Sequence, residues 1–199
     1  MKGPRGVSSR SGTPGLARVA FDSRPAVDVR GVGRYSRCLL SALRETAREG
    51  VEIVETHRPR RVDVFHAPWT EGAILRSPCP MVVTVHDVDA LTRPSERLRR
   101  GGVHLHLRHL ALARATHVIV PTDAVAHDAI TKLGLERERV VVIAEAPDPA
   151  THTTGQPANA WSWENVARAT WNVYERALTE PGRAFISTPR VASAQPGSS

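Results

Sequence analysis

The sequence predicts an α/β fold built on a parallel sheet flanked by helices. Short apolar runs of strand length alternate with amphipathic stretches of helix length from Arg18 to Ile143. One of them, Met81–Val85, is apolar throughout, as a central parallel strand covered on both faces has to be. Two glycines, Gly31 and Gly33, open the first helical stretch after an apolar strand, which places ligands at that loop.

Each element can be justified in order. Residues 1–17 mix Gly, Pro, Ser and Arg without periodicity and read as a disordered basic arm. The first strand is Arg18–Asp22. After an eight-residue loop comes a helix over Arg34–Arg48, with Tyr35, Leu39, Leu40, Leu43 and Ala47 on one face and Gly50 as its stop. The second strand, Val51–Glu55, leads through a basic turn into the third, Val62–His66. The stretch from Ala67 to Pro80 holds three prolines and leaves no room for a long helix. Met81–Val85 then ends at His86-Asp87. Leu91–Gly102 is charged and irregular, and Val103–Ala115 is a helix with Val103, Leu107, Leu110 and Ala111 expected to face inward. His117–Val120 is the fifth strand. Pro121-Thr122-Asp123 caps a helix over Ala124–Leu133, Gly134 ends it, and Val140–Ile143 is the sixth strand.

After Glu145 the character changes. The domain is expected over 18–149, a patternless linker over 150–160, a helix over 161–180 and a disordered tail over 181–199. Within the helix Ser162 is a good N-cap and Glu164 suits the positive N-terminal end. Trp163, Val166, Ala167, Thr170, Tyr174, Ala177 and Leu178 form one stripe, and three of the four tryptophans (Trp161, Trp163, Trp171) lie here. A lone helix this aromatic has to bury that stripe, so it is expected to dock on the domain.

Composition bounds the function. At 41% hydrophobic residues the chain can build a core. No apolar run is long enough to span a bilayer, and the N-terminus lacks the apolar segment of a secretory signal, so a cytoplasmic place is expected. Cys38 and Cys79 form no CxxC pair and read as reduced thiols. The net charge of +7 invites a partner carrying phosphate, although an evenly basic surface with no polyanion partner accounts for it equally. The arginine runs (Arg58, Arg60, Arg61; Arg97, Arg99, Arg100, Arg108) carry no interleaved aromatics for base stacking, so no nucleic acid is expected. Most such runs are solvated surface, and an anionic membrane surface, met peripherally at its inner face, or another phosphate-bearing partner is the alternative.

Three groups could carry chemistry. The Gly31–Gly33 pair at a helix start suits an anion held by backbone N–H groups, and it also suits a plain glycine turn. A dinucleotide fingerprint fits poorly, because its third glycine position is Ser36 and the loop from strand one is too long. His86, at the carboxyl end of a central strand, could act as a base or bind a ligand, with Asp87 orienting it, or could simply cap the strand. His104, His106 and His109 lack an adjacent acid or Cys, and histidines two apart on a helix do not share a face, so no metal is expected.

In order along the chain, RVAFDSR, RGVGRYSRCLLSAL, DVFHAP, VVTVHDVDAL, RATHVIVPTDAVAHDAITKLG and VVVIAEAPDP resemble family 4 glycosyltransferases. These are retaining enzymes of the GT-B fold, many of them mannosyltransferases, that use nucleotide-diphosphate sugars without a catalytic metal or other cofactor. The resemblance covers Arg18 to Pro149 and implies the N-terminal, acceptor-side Rossmann-like domain. It implies that His86 is the catalytic residue, contacting the transferred sugar. Gly31, Gly33, Arg34 and Asp87 would bind substrate, and the partners would be a nucleotide sugar and a glycan or lipid-linked acceptor. The segment WSWENVARATWNVYERAL resembles the family's final helix, which crosses back onto the N-terminal domain. Between Asp148 and Trp161 the family would carry a second Rossmann-like domain, with the Arg/Lys pair and E-x7-E motif that hold the donor; here a short linker stands instead. Ala146 replaces the glycine usual before that domain. The resemblance therefore implies either sugar transfer or an inactive remnant that binds acceptor or membrane at most.

Overall fold

A computed structural model of the chain describes residues 16–29, 31–92, 102–147 and 161–179. Burial differs from strand to strand. β3 (Val64–Ala67), β4 (Met81–Thr84) and β5 (His117–Val120) are buried at every residue, whereas β2 (Glu52–Glu55) and β6 (Val140–Val142) are partly or fully exposed at every residue. That difference assigns their places. With β1 (Arg18–Phe21), the six strands form one parallel sheet in the order β2-β1-β3-β4-β5-β6, with the two least buried strands at its edges. The register pairs Val19 with Ile53 on one side and with Val64 on the other, then Phe65 with Met81, Val83 with Val118 and Ile119 with Val141.

Alternation along the strands divides the core into two layers. Val19, Phe21, Val64, Val82 and Ile119 face α1 (Gly31–Thr46) and the C-terminal helix. Ala20, Phe65, Met81, Val83 and Val118 face the opposite layer, with Leu105, Leu112, Ala126 and Ala129. Those last four come from two helices, Gly102–Ala113 and Asp123–Leu133. A one-turn helix, α2 (Asp89–Thr92), precedes them, so they are α3 and α4. The predicted α/β class, a Rossmann-like parallel sheet between helices, is the fold.

Local chemistry explains the helix ends. α1 starts three residues before the predicted Arg34, because Gly31 takes a φ of +50 that turns the chain into the helix. The glycine pair thus lies within the first turn of the helix. Thr122 caps α4 through its side-chain oxygen, which accepts from Val125 N, and Gly134 closes it in the left-handed conformation at φ +68. On α3 the inward face differs from the expected one. Leu107 and Leu110 are 39% and 37% exposed, while Leu105, Ala111 and Leu112 are buried. The run VHLHLRHLALA carries apolar residues on several sides, so its spacing alone does not choose a face.

The C-terminal helix, α5 (Trp163–Thr179), docks beside α1 as its stripe requires. Trp163, Val166, Ala167, Thr170, Tyr174 and Ala177 are buried, joined by Val173, and Leu178 is partly buried. Ser162 Oγ accepts from Asn165 N at 3.3 Å, the N-cap bond expected of it. The Trp171 indole donates to Thr46 Oγ1 at 3.0 Å and Arg48 pairs with Glu175 at 2.5 Å, fastening the helix to the end of α1. At its other end the Trp161 and Trp163 indoles donate to the carbonyls of Ala144 and Pro147, at 2.7 and 2.9 Å. Cys38 and Cys79 are both free. No helix among the described residues is long and apolar enough to cross a membrane. The arm as far as residue 15, Arg97, Arg99, Arg100, the linker and the tail lie outside the described residues.

Candidate functional site

The strand order places a site before any side chain is considered. Chain connections run outward in opposite directions from β1 and β3, and in open parallel sheets the crevice at such a switch point, beyond the carboxyl ends of the strands, takes the ligand. Asp22 follows β1, Pro68 and Trp69 follow β3, His86 follows β4 and Glu145 follows β6. The N-terminus of α1 opens at the same edge.

His86 is held from both sides. Its Nε2–H donates to the carbonyl of Pro68 at 3.0 Å, and its Nδ1 stands 2.8 Å from Oε1 of Glu145. The edge of the Tyr35 ring supports the imidazole at 4.6 Å between centroids, and 18% of the His86 side chain remains exposed. Arg34 reaches the other oxygen of Glu145 at 4.0 Å. His86 after β4, Glu145 after β6 and Arg34 on α1 therefore form one cluster. A ligand that engages a ring nitrogen of His86 has to share or displace one of its two present acceptors.

The other expected residues are placed less uniformly. Asp87 does not orient His86: its Oδ1 accepts from Asp89 N at 2.8 Å, capping α2, and it is exposed. Gly31 is exposed, with open space where a Cβ would project. Gly33 is buried, and a Cβ there would lie 2.1 Å from Asp28 O and 2.6 Å from Pro25 O. The second glycine thus admits backbone of its own loop, and the first leaves room on the open side.

Beneath His86 lies a buried polar chain that sequence reasoning missed. The Tyr35 hydroxyl is 3.3 Å from Thr84 Oγ1, Thr84 Oγ1 is 3.0 Å from His66 Nε2, and His66 Nδ1 is 2.6 Å from the Tyr174 hydroxyl. Every member is at most 2% exposed. Burial, with His86 nearby, pushes the His66 imidazole down to about 3, so it is neutral at ordinary pH. Burial pushes the hydroxyls of Tyr35 and Tyr174 above their ordinary value. A neutral imidazole between two hydroxyls can donate to one and accept from the other, which satisfies the chain without a buried charge. The sequence held one part of the signal, because polar His66 and Thr84 interrupt apolar strands. The register, which sets His66 opposite Val82, then puts Thr84 two residues further along the same face.

A second cluster occupies the switch point itself. Asp22 is fully buried and accepts from Arg24 Nε at 2.8 Å, Arg24 Nη2 at 2.7 Å and the Trp69 indole at 2.9 Å. Burial raises its carboxyl, but these donors outweigh that and hold it below the usual carboxylate range. Gly72 makes the arrangement possible, since a Cβ there would lie 2.7 Å from Asp22 Oδ2 and 2.6 Å from the Trp69 indole nitrogen. Among the described residues no group of three His, Cys, Asp or Glu is placed to hold a metal.

The crevice thus combines a histidine poised at a strand end, two carboxylates and two arginines, a set suited to binding a polar, hydroxyl-rich or anionic ligand. No curated protein matches the chain. The sequence model of a family described as Glycosyltransferase Family 4 matches residues 5–150, which takes in all six strands and every side chain of the site except those of α5. The chain belongs to glycosyltransferase family 4.

Proposed function

We propose that this fold serves transfer of a sugar from a nucleotide-diphosphate donor, mannosyl or another hexosyl, to a glycan or lipid-linked acceptor with retention. The observation that carries this reading is His86, held at the carboxyl end of β4 by Pro68 and Glu145 at the crevice where open α/β sheets bind ligands. His86 would contact the transferred sugar, Gly31 would admit substrate at the open start of α1, and Gly33 would shape that loop. Arg34 would add a cation beside Glu145, and Asp87 would bind through its exposed edge. The donor enters as substrate, and the resemblance implies no catalytic metal.

A second reading is supported by one specific feature. The Trp161 and Trp163 indoles bond back to Ala144 and Pro147, so α5 begins beside the exit of β6 with only residues 148–160 between. The family resemblance implies a donor-binding domain at that point. Preorganised charge on a leaving diphosphate is commonly the largest catalytic contribution. A chain lacking it would be an inactive remnant that binds acceptor or an anionic membrane surface.

One experiment separates the two. The purified chain is offered a panel of nucleotide sugars, and donor binding and hydrolysis are measured for the wild type and for His86→Ala. Turnover that disappears in the variant supports transfer. A folded chain that neither binds nor hydrolyses any donor supports the remnant.

A further inference from the structure

We infer that Arg24 forms an anion subsite beside His86, taking the phosphoryl group of a phosphorylated ligand. The Asp22 carboxylate grips the guanidinium along one edge, through Nε and Nη2 at 2.8 and 2.7 Å. A guanidinium has five N–H donors in a planar fork, so this grip leaves the Nη1/Nη2 edge aimed away from the carboxylate. That edge matches a second bidentate acceptor, phosphate above all. Asp22 is fully buried while the Arg24 side chain is 48% exposed, so a buried acid fixes a cation that still faces solvent. Trp69 braces it further, with its ring 5.6 Å below the guanidinium and its indole on the same carboxylate.

Position ties this cation to the catalytic candidate. Trp69 follows Pro68, whose carbonyl holds His86, so one turn after β3 supports both. The 3-10 turn that starts at Arg24 ends at Val27. Val27 and nearby Val29 are 90% and 76% exposed, the most exposed large apolar side chains among the described residues. Their loop is stiff, because Arg37 donates to the carbonyls of Ala26, Asp28 and Val29. An anion-binding edge beside a stiff apolar tip fits a phosphorylated acceptor, whether a free phosphate ester or a phospholipid headgroup. The word acceptor rests on the transfer reading above; the anion subsite does not.

The test observes the Trp69 indole N–H and the Arg24 Nε–H by ¹H–¹⁵N correlation spectroscopy on the full chain. Inorganic phosphate, glycerol 1-phosphate and glycerol are titrated in turn, and vesicles of phosphatidylglycerol are compared with vesicles of phosphatidylcholine. Saturable shifts with the two phosphates and none with glycerol are expected. Arg24→Lys, which keeps the charge and loses the fork, should weaken binding by about ten- to a hundredfold. The double variant Asp22→Asn/Arg24→Gln leaves no buried unpaired charge and should lose it as well, while Arg168→Ala on the outer face of α5 should not. Binding confined to phosphatidylglycerol vesicles, and weakened by Arg24→Lys, identifies the headgroup as the source. The inference is overturned if no phosphate source shifts these signals, or if Arg24→Lys binds as tightly as the wild type. Donor turnover without phosphate binding sinks the subsite alone, and phosphate binding without donor turnover sinks transfer alone.

Discussion

A methyl group added at Gly33 would sit 2.1 Å from the carbonyl oxygen of Asp28 and 2.6 Å from that of Pro25, both backbone atoms that cannot swing aside. Gly33→Ala should therefore push the 3-10 turn off α1, costing about 3 kcal/mol, the upper range for overpacking. Gly31→Ala meets open space and suffers only from its φ of +50, a cost of about 1 kcal/mol. Urea unfolding of the two variants checks the order, and equal losses would show that loop packing is not what the second glycine provides. Neighbouring residues can be just as misleading at His86. Consecutive side chains leaving a strand point to opposite sides, so Asp87 is badly placed to orient His86, and the acid that does so comes from beyond β6. His86 was legible from its place at the end of an apolar strand. Glu145 was not, because its closeness depends on β5 lying between β4 and β6, a fact of strand order that spacing along the chain does not contain.

Helix α5 is more than a cover for apolar surface, since the site rests on it. Trp163 packs on Tyr35 at 5.8 Å between ring centroids, Tyr35 packs on His86, and Tyr174 bonds to His66 at 2.6 Å. Deleting residues 161–179 would strip Tyr174 from His66 and uncover the part of the α1-side layer that α5 covers. A large drop in melting temperature is expected, and an unchanged melting temperature would refute the role given to this helix. Tyr174→Phe keeps the ring and removes only the hydroxyl, so it should cost about 1–3 kcal/mol through the buried nitrogen left without its partner. The existence of α5, its cap at Ser162 and nearly all of its buried stripe were legible, because a long amphipathic pattern fixes a helical face. The inward face of α3 was not legible, because its apolar residues give no single stripe. Leu105 and Leu112 turn inward where the opposite layer of the sheet offers Met81, Val83 and Val118.

At the scale of the molecule the parallel sheet was readable from alternation alone, and its two core layers follow from the pleat. The sheet order and the polar chain within the α1-side layer were not, since each joins residues far apart in sequence, such as His66 with Tyr174. That chain gives the whole fold a dependence on acid. His66 faces Tyr174 on α5, Thr84 on β4 and Phe21 on β1, with His86 and Asp22 as the nearby groups that titrate. Folding lowers its imidazole from 6.5 to about 3, so an unfolded chain takes up a proton at a pH where the folded one does not. The contribution of His66 to stability is therefore fully present above 6.5 and is lost as the pH falls from there toward 3, at about 1.4 kcal/mol per pH unit. His66→Gln retains a polar side chain and cannot titrate. It should be less stable than the wild type at neutral pH, yet its unfolding free energy should fall less steeply on acidification. Urea titrations of both proteins, carried from about pH 7 to about pH 5, cover enough of that window to compare the slopes. Equal slopes would mean that His66 already carries its proton in the folded chain. The layer between the sheet and helices α1 and α5 would then hold a buried cation, and the neutral relay from Tyr35 to Tyr174 would have to be abandoned.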